Sequence, residues 1–160
     1  MQEEDSGGGG LKLKTPLSEG EVRKLKVGNE VELSGVIVTA RDTAHKYLTQ
    51  KNPKLPLSLE GLVLYHCGPI VEGRSVIAAG PTTSIREEPY EAEVIRRYGI
   101  RGIIGKGGMG DRTLDALKRY GAVYLSAVGG AAAVMASSIE KTIDVYMLEE
   151  FGVPEAFWIL

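Results

Sequence analysis

Cysteine is almost absent from this sequence, which contains Cys67 alone among its 160 residues. One cysteine cannot form a disulfide within the chain. Nor can it build a four-cysteine zinc or iron–sulfur site without ligands from another chain. We therefore expect no metal site of this chain's own.

Long apolar runs and an excess of one charge are also missing. No run approaches the ~20 apolar residues that a membrane-spanning helix needs. The acidic, glycine-rich start MQEEDSGGGG lacks the apolar core of a signal peptide, so we expect a cytoplasmic protein. The formal net charge of −2 provides no basic field for nucleic acid. These absences predict that neither a membrane nor a nucleic acid is a partner.

What the sequence does contain is the composition of an ordinary globular domain, with 43% hydrophobic and 25% charged residues. We predict a disordered tail over residues 1–10 and a single domain over residues 11–160. Short strands and helices alternate along the second half of the sequence, which favours an α/β fold with helices packed on one sheet. The many apolar strands also favour a second layer of strands.

In the first half, β-branched residues predict one strand from about Val31 to Thr39. A helix is predicted to follow it, with Asp42 or Thr43 near the N-cap. Earlier in the chain, Ser18 and Glu21 have the spacing of a capping box at the start of a short helix.

In the second half, EEPYEAEVIRRYG and DRTLDALKRYG are predicted helices that end at Gly99 and Gly121. Asp111 is the predicted N-cap of the second of them. The segments predicted as strands are GLVLYHC, RSVIAA, IIG, AVYLSA, KTIDVYMLEEFG and FWIL, of which RSVIAA and AVYLSA are expected to be buried.

Three loops each place a cation where an apolar strand stops. They contain Arg41, then Thr82, Thr83 and Arg86, and then Lys106 between glycines. In open α/β sheets, ligands favour the crevice beyond the carboxyl ends of the strands. Because arginine binds a carboxylate through two parallel bonds and lysine adds a point charge, these loops predict a ligand with two carboxylates.

Each cation also has a local alternative, which is pairing with a nearby acid for the two arginines and solvation for the lysine. The acids in question are Asp42 or a neighbouring glutamate for Arg41, and Glu87 or Glu88 for Arg86. Three cations in three strand-end loops favour a site, since perturbed charges cluster where chemistry occurs.

The two histidines give weaker signals. His45 lies one helical turn after Arg41 and on the same face. His66 and Cys67 could form a metal pair, but a buried cysteine beside a strand-end histidine more often serves packing.

Several sequence blocks occur in order between about residues 11 and 160, and together they are specific. They are GVIVTARDTAHK, HCGPIV, AAGPTTSIREEPYE, IIGKGGMG, GAVYLSAVGGAAA and LEEFGVPEAFW. This set resembles the β subunit of class I fumarate hydratases, which is the carboxy-terminal domain of single-chain members. It is also similar to the related β subunit of L-tartrate dehydratase. The resemblance implies a swivelling β/β/α three-layer domain.

The resemblance further implies a hydro-lyase that reversibly hydrates fumarate to L-malate, a reaction of the tricarboxylic acid cycle. It implies an oxygen-sensitive [4Fe–4S] cluster that a partner α subunit binds through three cysteines, with one open iron for the substrate. This chain would then be the half without the cluster. We expect a heteromer, and a higher oligomer of αβ pairs.

The resemblance also implies roles for particular residues. Arg41, Arg86 and Lys106 would hold the carboxylates of the substrate. Thr82 would be the catalytic hydroxyl, working with an acidic residue of the α subunit. Two alternatives stay open: a dehydratase of tartrate or another hydroxy-diacid, and a non-catalytic domain that binds a small anion.

Overall fold

The computed structural model describes residues 10–127 and 132–160, so the predicted tail over residues 1–10 lies outside the described residues except for Gly10. The strands are β1 Leu11–Lys14, β2 Val31–Ser34, β3 Ile37–Thr39, β4 Val63–Tyr65, β5 Ile70–Glu72, β6 Ser75–Ala78, β7 Gly102–Gly105, β8 Val123–Ser126, β9 Asp144–Tyr146 and β10 Phe157–Ile159. The helices are α1 Glu19–Arg23, α2 Asp42–Gln50, α3 Glu88–Tyr98, α4 Asp111–Tyr120, α5 Ala132–Ser137 and α6 Leu148–Phe151, and a 3₁₀ turn over Ser84–Glu87 leads into α3.

The main sheet has six strands in the order β8-β7-β4-β3-β10-β9. Strands β3, β4, β7 and β8 run parallel, whereas β10 is antiparallel to both of its neighbours. Two small sheets accompany it, the parallel pair β1–β2 and the antiparallel pair β5–β6. Because the four parallel strands end on the same side, the loops that follow them share one edge of the sheet.

The alternation of side chains along β4 separates two hydrophobic cores. Leu64, with Val38 and Ile103 of the neighbouring strands, packs against helices α2, α3 and α4. Val63 and Tyr65 face the opposite side, where β1, α1, β2, β6 and α5 contribute the packing residues. The α/β prediction is therefore confirmed, with helices, a central sheet and small sheets in three layers.

Local sequence signals set several element ends. Both bonds of the predicted capping box are present, from Glu21 N–H to Ser18 Oγ at 3.2 Å and from Ser18 N–H to Glu21 Oε2 at 2.9 Å. Helices α3 and α4 end at Gly99 and Gly121, which adopt φ values of 67° and 72°. Glycine adopts this left-handed conformation without a Cβ penalty, so both predicted ends are confirmed.

The prediction of one strand from Val31 to Thr39 is wrong. Strands β2 and β3 belong to different sheets, and the chain turns between them at Gly35, where φ is +93°. A Cβ at Gly35 would lie 2.4 Å from the Thr15 hydroxyl. A β-branched run therefore crosses from one layer to the next at a single glycine.

Other strand predictions also need correction. Within the described part of the chain, strand β6, in RSVIAA, pairs with β5 alone and leaves Ile77 half exposed, so it is not buried. Strand β8, in AVYLSA, is a half-buried edge strand. In KTIDVYMLEEFG the strand stops at Tyr146, because Met147 turns left-handed with φ 63° and α6 follows.

The prediction of Asp42 or Thr43 near the N-cap of α2 is confirmed, because Arg41 is the cap and Asp42 is the first helical residue. The predicted N-cap Asp111 is displaced by one residue, since Gly110 is the cap of α4. Carboxylates from other elements bind the free N–H groups instead. Glu155 accepts from Thr43 N–H at 3.1 Å, and Glu88 accepts from Gly110 N–H at 2.8 Å and Thr113 N–H at 3.1 Å.

Candidate active site

The carboxyl ends of three parallel strands bring two predicted cations to one edge of the sheet. Thr39 pairs in register with Tyr65, and Tyr65 pairs with Ile104. Arg41 and Lys106 each lie two residues beyond this level, on opposite sides of β4. Their backbones therefore flank the end of a single central strand.

The loop after β6 passes between the ends of β4 and β7. Pro81 forms an antiparallel bridge with Cys67, and Thr83 forms a parallel bridge with Lys106. Between them, the Thr82 N–H donates to the carbonyl oxygen of His66 at 2.7 Å. We call Arg41, residues 81–86 and Lys106 together the loop edge.

Arg86 pairs with Asp42, and not with Glu87 or Glu88 as its local alternative predicted. Its Nε donates to Asp42 Oδ2 at 3.1 Å, and its Nη2 donates to the same oxygen. The side chains are 54% and 36% exposed, which makes the pair a weak one. Because both bonds use one edge of the guanidinium, Nη1 keeps two donors for another carboxylate.

The Arg41 side chain lies across Gly68, where an added Cβ would be 2.6 Å from Nη1 and 2.8 Å from Cδ. Its Nε is 3.6 Å from Glu155 Oε1. That distance is too long for a hydrogen bond, so Arg41 also keeps donors for a ligand. Its acidic partner is thus Glu155, and not the adjacent Asp42.

Lys106 and Thr82 complete the four predicted site residues. Lys106 is exposed and makes no ion pair within the part of the chain that the structure describes. The half-buried Thr82 hydroxyl makes no hydrogen bond within residues 10–127 and 132–160. Thr83 is the N-cap residue of the 3₁₀ turn that follows, and its side chain forms no capping bond. Among the described residues, the Thr82 hydroxyl does not cap this turn either.

Beneath the loop edge lies a buried cluster that we call the His–Glu cluster: His45, His66, Glu87 and Glu91, each at most 1% exposed. His45 Nδ1 is 2.8 Å from the Arg41 carbonyl oxygen and 3.3 Å from Glu87 Oε2. Its Nε2 contacts Glu91 Oε2, the oxygen that His66 Nε2 approaches at 3.6 Å. Neither Nε2 contact is aligned as a hydrogen bond, so both rings meet Glu91 through its negative charge and not through a directed bond.

Burial and charge change the protonation of this cluster. Burial alone disfavours the cation of His45, but the attraction of Glu91 and Glu87 and the bond to Arg41 raise its pKa to about 9. Burial likewise disfavours the Glu91 anion, but the charge of His45 lowers the pKa of Glu91 to about 2. Burial and a hydrogen bond with Asp42 raise the pKa of Glu87 to about 8. Burial lowers the pKa of His66. At neutral pH the cluster is one ion pair flanked by two neutral groups.

The three donor atoms of His45, His66 and Glu91 lie within 4.8 Å of one another, close enough to bind a metal ion. The hydrogen bonds favour a different state. A carbonyl oxygen only accepts, so His45 Nδ1 must carry a proton, and its Nε2 faces a carboxylate. A histidine that binds a metal through Nε2 also donates from Nδ1, but here Nε2 directly contacts Glu91 Oε2, so the geometry fits an imidazolium–carboxylate pair.

A surface cavity of about 460 Å³ lies away from the loop edge, near the opposite ends of the strands. Two of its lining residues, Arg96 and Arg97, already donate to Glu93. The cavity offers no free cation pair for a dicarboxylate, so the loop edge is the better candidate.

Sequence reasoning missed the acidic members of the cluster. The helix prediction uses the acidic residues only as a charge pattern that suits the helix dipole, and Glu87 enters only as a possible partner of Arg86. Glu87 and Glu91 lie four residues apart and on the same helical face as the buried Val94 and Ile95. Two carboxylates on the apolar stripe of a helix are the signal that could have revealed a buried cluster.

The family described as Fumarase C-terminus matches the chain over residues 2–160. The chain belongs to this family. The sequence-based recognition of it is confirmed.

Three relatives illustrate the range of the family. The chain is 50% identical over 155 residues to a Geobacillus stearothermophilus protein provisionally named fumarate hydratase class I, covering 94% of this chain and 30% of that protein. It is 44% identical over 151 residues to a Methanocaldococcus jannaschii protein provisionally named L(+)-tartrate dehydratase subunit beta, covering 90% and 77%. It is 33% identical over 151 residues to the L(+)-tartrate dehydratase subunit beta of Escherichia coli K12, covering 92% and 75%. The chain thus spans under a third of the first relative and about three quarters of the other two.

Among the described residues of this chain, no helix has the length and apolar character to cross a membrane.

Proposed function

We propose that this chain is the β subunit of an iron–sulfur hydro-lyase that reversibly hydrates fumarate to L-malate. It supplies carboxylate-binding and proton-transfer residues to a site that it shares with a cluster-bearing α subunit. The observation that carries the proposal is the convergence, at one sheet edge, of two incompletely paired arginines, an exposed lysine and a threonine hydroxyl that has no partner among the described residues. The relatives named as fumarate hydratase and as tartrate dehydratase subunits support a hydro-lyase.

The charges of the loop edge suit a dicarboxylate. Arg86 has a free Nη1 edge, and Arg41 lacks a hydrogen-bonded acid. A carboxylate that binds either guanidinium gains a charge-assisted bond, and two parallel bonds fix its plane. Lys106 adds a third positive charge from the end of β7. A ligand with one carboxylate would leave part of this charge unused.

The iron–sulfur cluster that the resemblance implies does not fit this chain. Cys67 is the only cysteine, it is fully buried, and burial raises the pKa of its thiol to about 12. A [4Fe–4S] cluster is held by several cysteine thiolates, which a single cysteine cannot supply. We therefore assign the cluster to a partner subunit, and we assign to this chain the binding, orientation and protonation of the substrate.

Hydration places a proton on one carbon of fumarate, and we assign that proton transfer to the Thr82 hydroxyl. A free threonine hydroxyl is far too weak a base at neutral pH to act in the reverse direction. Cations such as Arg86 and Lys106 stabilise its alkoxide, or an acid of the α subunit relays the proton. The lack of a hydrogen-bond partner among the described residues leaves the Thr82 hydroxyl available for this role.

A dehydratase of L-tartrate is the second candidate, and two of the relatives favour it by name. Both substrates are four-carbon dicarboxylates, so the cations of the loop edge serve either. The additional hydroxyl of tartrate would be read largely by residues of the α subunit. A non-catalytic anion-binding domain is a third candidate, which leaves the Thr82 hydroxyl without a role.

The deciding experiment is to assemble the chain with an α subunit under anaerobic conditions and measure steady-state rates on fumarate, L-malate and L-tartrate. The proposal expects the highest kcat/KM on fumarate and malate. A preference for tartrate would select the second candidate. No turnover of any diacid, together with tight anion binding by the chain alone, would select the third.

A further inference from the structure

We propose that the His–Glu cluster is a positioning unit for the loop edge, in which Glu91 holds His45 as an imidazolium and His66 as a neutral ring. The proposal deepens the proposed function, since the residues it positions are those assigned to the substrate. Glu91, His45 and His66 are positioning residues, because they act through the loop edge.

Each of the four assigned residues is connected to this cluster. The Arg41 carbonyl accepts from His45 Nδ1 at 2.8 Å, and the Thr82 N–H donates to the His66 carbonyl at 2.7 Å. Lys106 is held through Ser84, whose N–H donates to the Lys106 carbonyl at 3.0 Å. The Ser84 hydroxyl is 2.8 Å from His66 Nδ1.

Two acidic residues, Asp42 and Glu87, connect Arg86 to His45. The Arg86 guanidinium binds Asp42, a neighbouring carboxyl group that helps to raise the pKa of Glu87. Glu87 Oε2 is 3.3 Å from His45 Nδ1. Residues of the loop edge are thus connected to a buried ion pair that water cannot screen, three of them through backbone atoms and Arg86 through its side chain.

The hydrogen bonds that lead to His66 all donate in one direction, from Gly108 towards the His66 ring. Gly108 N–H donates to the Tyr124 hydroxyl at 3.3 Å, and Tyr124 donates to the Ser84 hydroxyl at 3.1 Å. The proton of Ser84 is therefore free to bind His66 Nδ1. His66 consequently carries its own proton on Nε2, which faces Glu91.

The His45 ring also faces the Glu91 carboxylate. Its Nδ1 must donate to the Arg41 carbonyl, and its Nε2 faces the Glu91 oxygen that His66 also approaches. Only a carboxylate offers a negative charge to both rings while His45 keeps two protons. A neutral amide at this position leaves His45 one proton, so either the Arg41 contact or a contact at residue 91 is lost.

Gly105 shows how closely this arrangement is packed. An added Cβ at Gly105 would lie 1.7 Å from Ser84 Oγ and 3.1 Å from His66 Nδ1. The Ser84–His66 bond thus occupies the space that any larger residue at the end of β7 would need. A glycine beside Lys106 is required by the positioning unit as well as by the loop.

The first test is the protonation of the two histidines, the only two in the chain. Long-range ¹H–¹⁵N spectra of the imidazole rings are recorded on the full chain between pH 5.5 and 9.5. We expect His45 to be protonated on both nitrogens at pH 7.5 and His66 to be neutral with its proton on Nε2. In Glu91→Gln the titration midpoint of His45 should fall by at least about one pH unit. A wild-type His45 that titrates near pH 6.5, or a midpoint that Glu91→Gln leaves unchanged, would overturn the proposal.

The second test is kinetic and uses the αβ assembly. We expect Glu91→Gln to lower kcat/KM for the diacid by about tenfold or more, the scale on which misplaced substrate contacts are felt. Glu93→Gln, the same change two residues along α3, should stay within twofold, because Glu93 pairs with Arg96 and Arg97. Equal effects of the two variants would overturn the proposal.

Ser84→Ala gives a second route if Glu91→Gln does not fold. It removes one hydroxyl, and we expect it to shift the His66 proton population between the two ring nitrogens and to lower kcat/KM. An unchanged His66 spectrum with unchanged kinetics contradicts the proposal, as does a stoichiometric divalent metal ion on the purified wild-type chain. The spectra are independent of the proposed reaction: an assembly inactive on every diacid refutes the proposed function and leaves the imidazolium result standing.

Discussion

Raising the pH from 6.5 to 9.5 should destabilise this chain, because the folded state holds the His45 proton more tightly than the unfolded state does. The pKa of His45 is raised from 6.5 to about 9 in the fold. At about 1.4 kcal/mol per pH unit, that difference is worth about 3 kcal/mol. A group with a raised pKa contributes its full stability below pH 6.5 and loses it as the pH rises through 9.

Glu87 acts in the same direction over a lower range. Its pKa is raised from 4.5 to about 8, so its contribution is lost between those two values and adds to the fall above pH 6.5. Glu91 acts in the opposite direction, since its lowered pKa stabilises the fold above pH 4.5 and is lost as the pH falls through about 2. Glu91 therefore does not change the free energy of unfolding between pH 6.5 and 9.5.

The assay is urea unfolding of the full chain at pH 6.5, 7.5, 8.5 and 9.5, followed by the fluorescence of Trp158. This is the only tryptophan, and it is 3% exposed, so its emission should report unfolding directly. In Glu91→Gln the decrease in the free energy of unfolding between pH 6.5 and 9.5 should be smaller, because His45 loses its main anionic partner. Glu93→Gln should retain it. A free energy of unfolding that stays level or rises between pH 6.5 and 9.5 would refute the assignment of a buried imidazolium.

The remaining predictions concern the loop edge. Arg86→Lys in the αβ assembly should lower kcat/KM about ten- to a hundredfold, because a charge-assisted bond worth about 1.5–3 kcal/mol loses its planar geometry; unchanged constants would mean that Arg86 serves only Asp42. Thr82→Ala should lower kcat by ~10²-fold or more with folding intact, and Thr82→Ser should retain some activity; a lower melting temperature with kcat within a few-fold of wild type would assign Thr82 to structure. After anaerobic reconstitution the chain alone should hold no cluster by iron assay and should not hydrate fumarate, and a stoichiometric cluster would contradict this. Calorimetric titration of fumarate into the chain alone should give at best millimolar affinity, since exposed ion pairs are weak, and micromolar binding would favour the anion-binding domain.

Much of the fold was accessible from local sequence signals. Gly99 and Gly121 end helices because left-handed backbone favours glycine, and the Ser18 capping box needs only residues three apart. The break at Gly35 was not accessible, because the β-branched residues on both sides have the same local preference. Only the packing of β2 and β3 in different layers separates them.

In the candidate site, too, the local features could be predicted from the sequence and the tertiary contacts could not. The cations of the loop edge could be nominated from the sequence because strand ends and charges are both local features. Their partners could not, since Asp42 meets Arg86 across 44 residues. The burial of Glu91 was hidden as well, because an acid in the first turn of a helix normally suits the helix dipole in solvent. Tertiary packing decided which carboxylates became buried.

The position of β10 has a consequence for how this domain is made. The Trp158 N–H donates to the Thr39 hydroxyl at 3.0 Å, across 119 residues, and Ile37 and Leu160 exchange backbone hydrogen bonds. Contacts between such distant residues form slowly, because a long loop must close before they can stabilise anything. During synthesis, the edge of β3 that faces β10 therefore stays unpaired until the chain 119 residues later has been made and has folded back. Arg41, two residues after Thr39, reaches its final surroundings only when β10 has paired with β3.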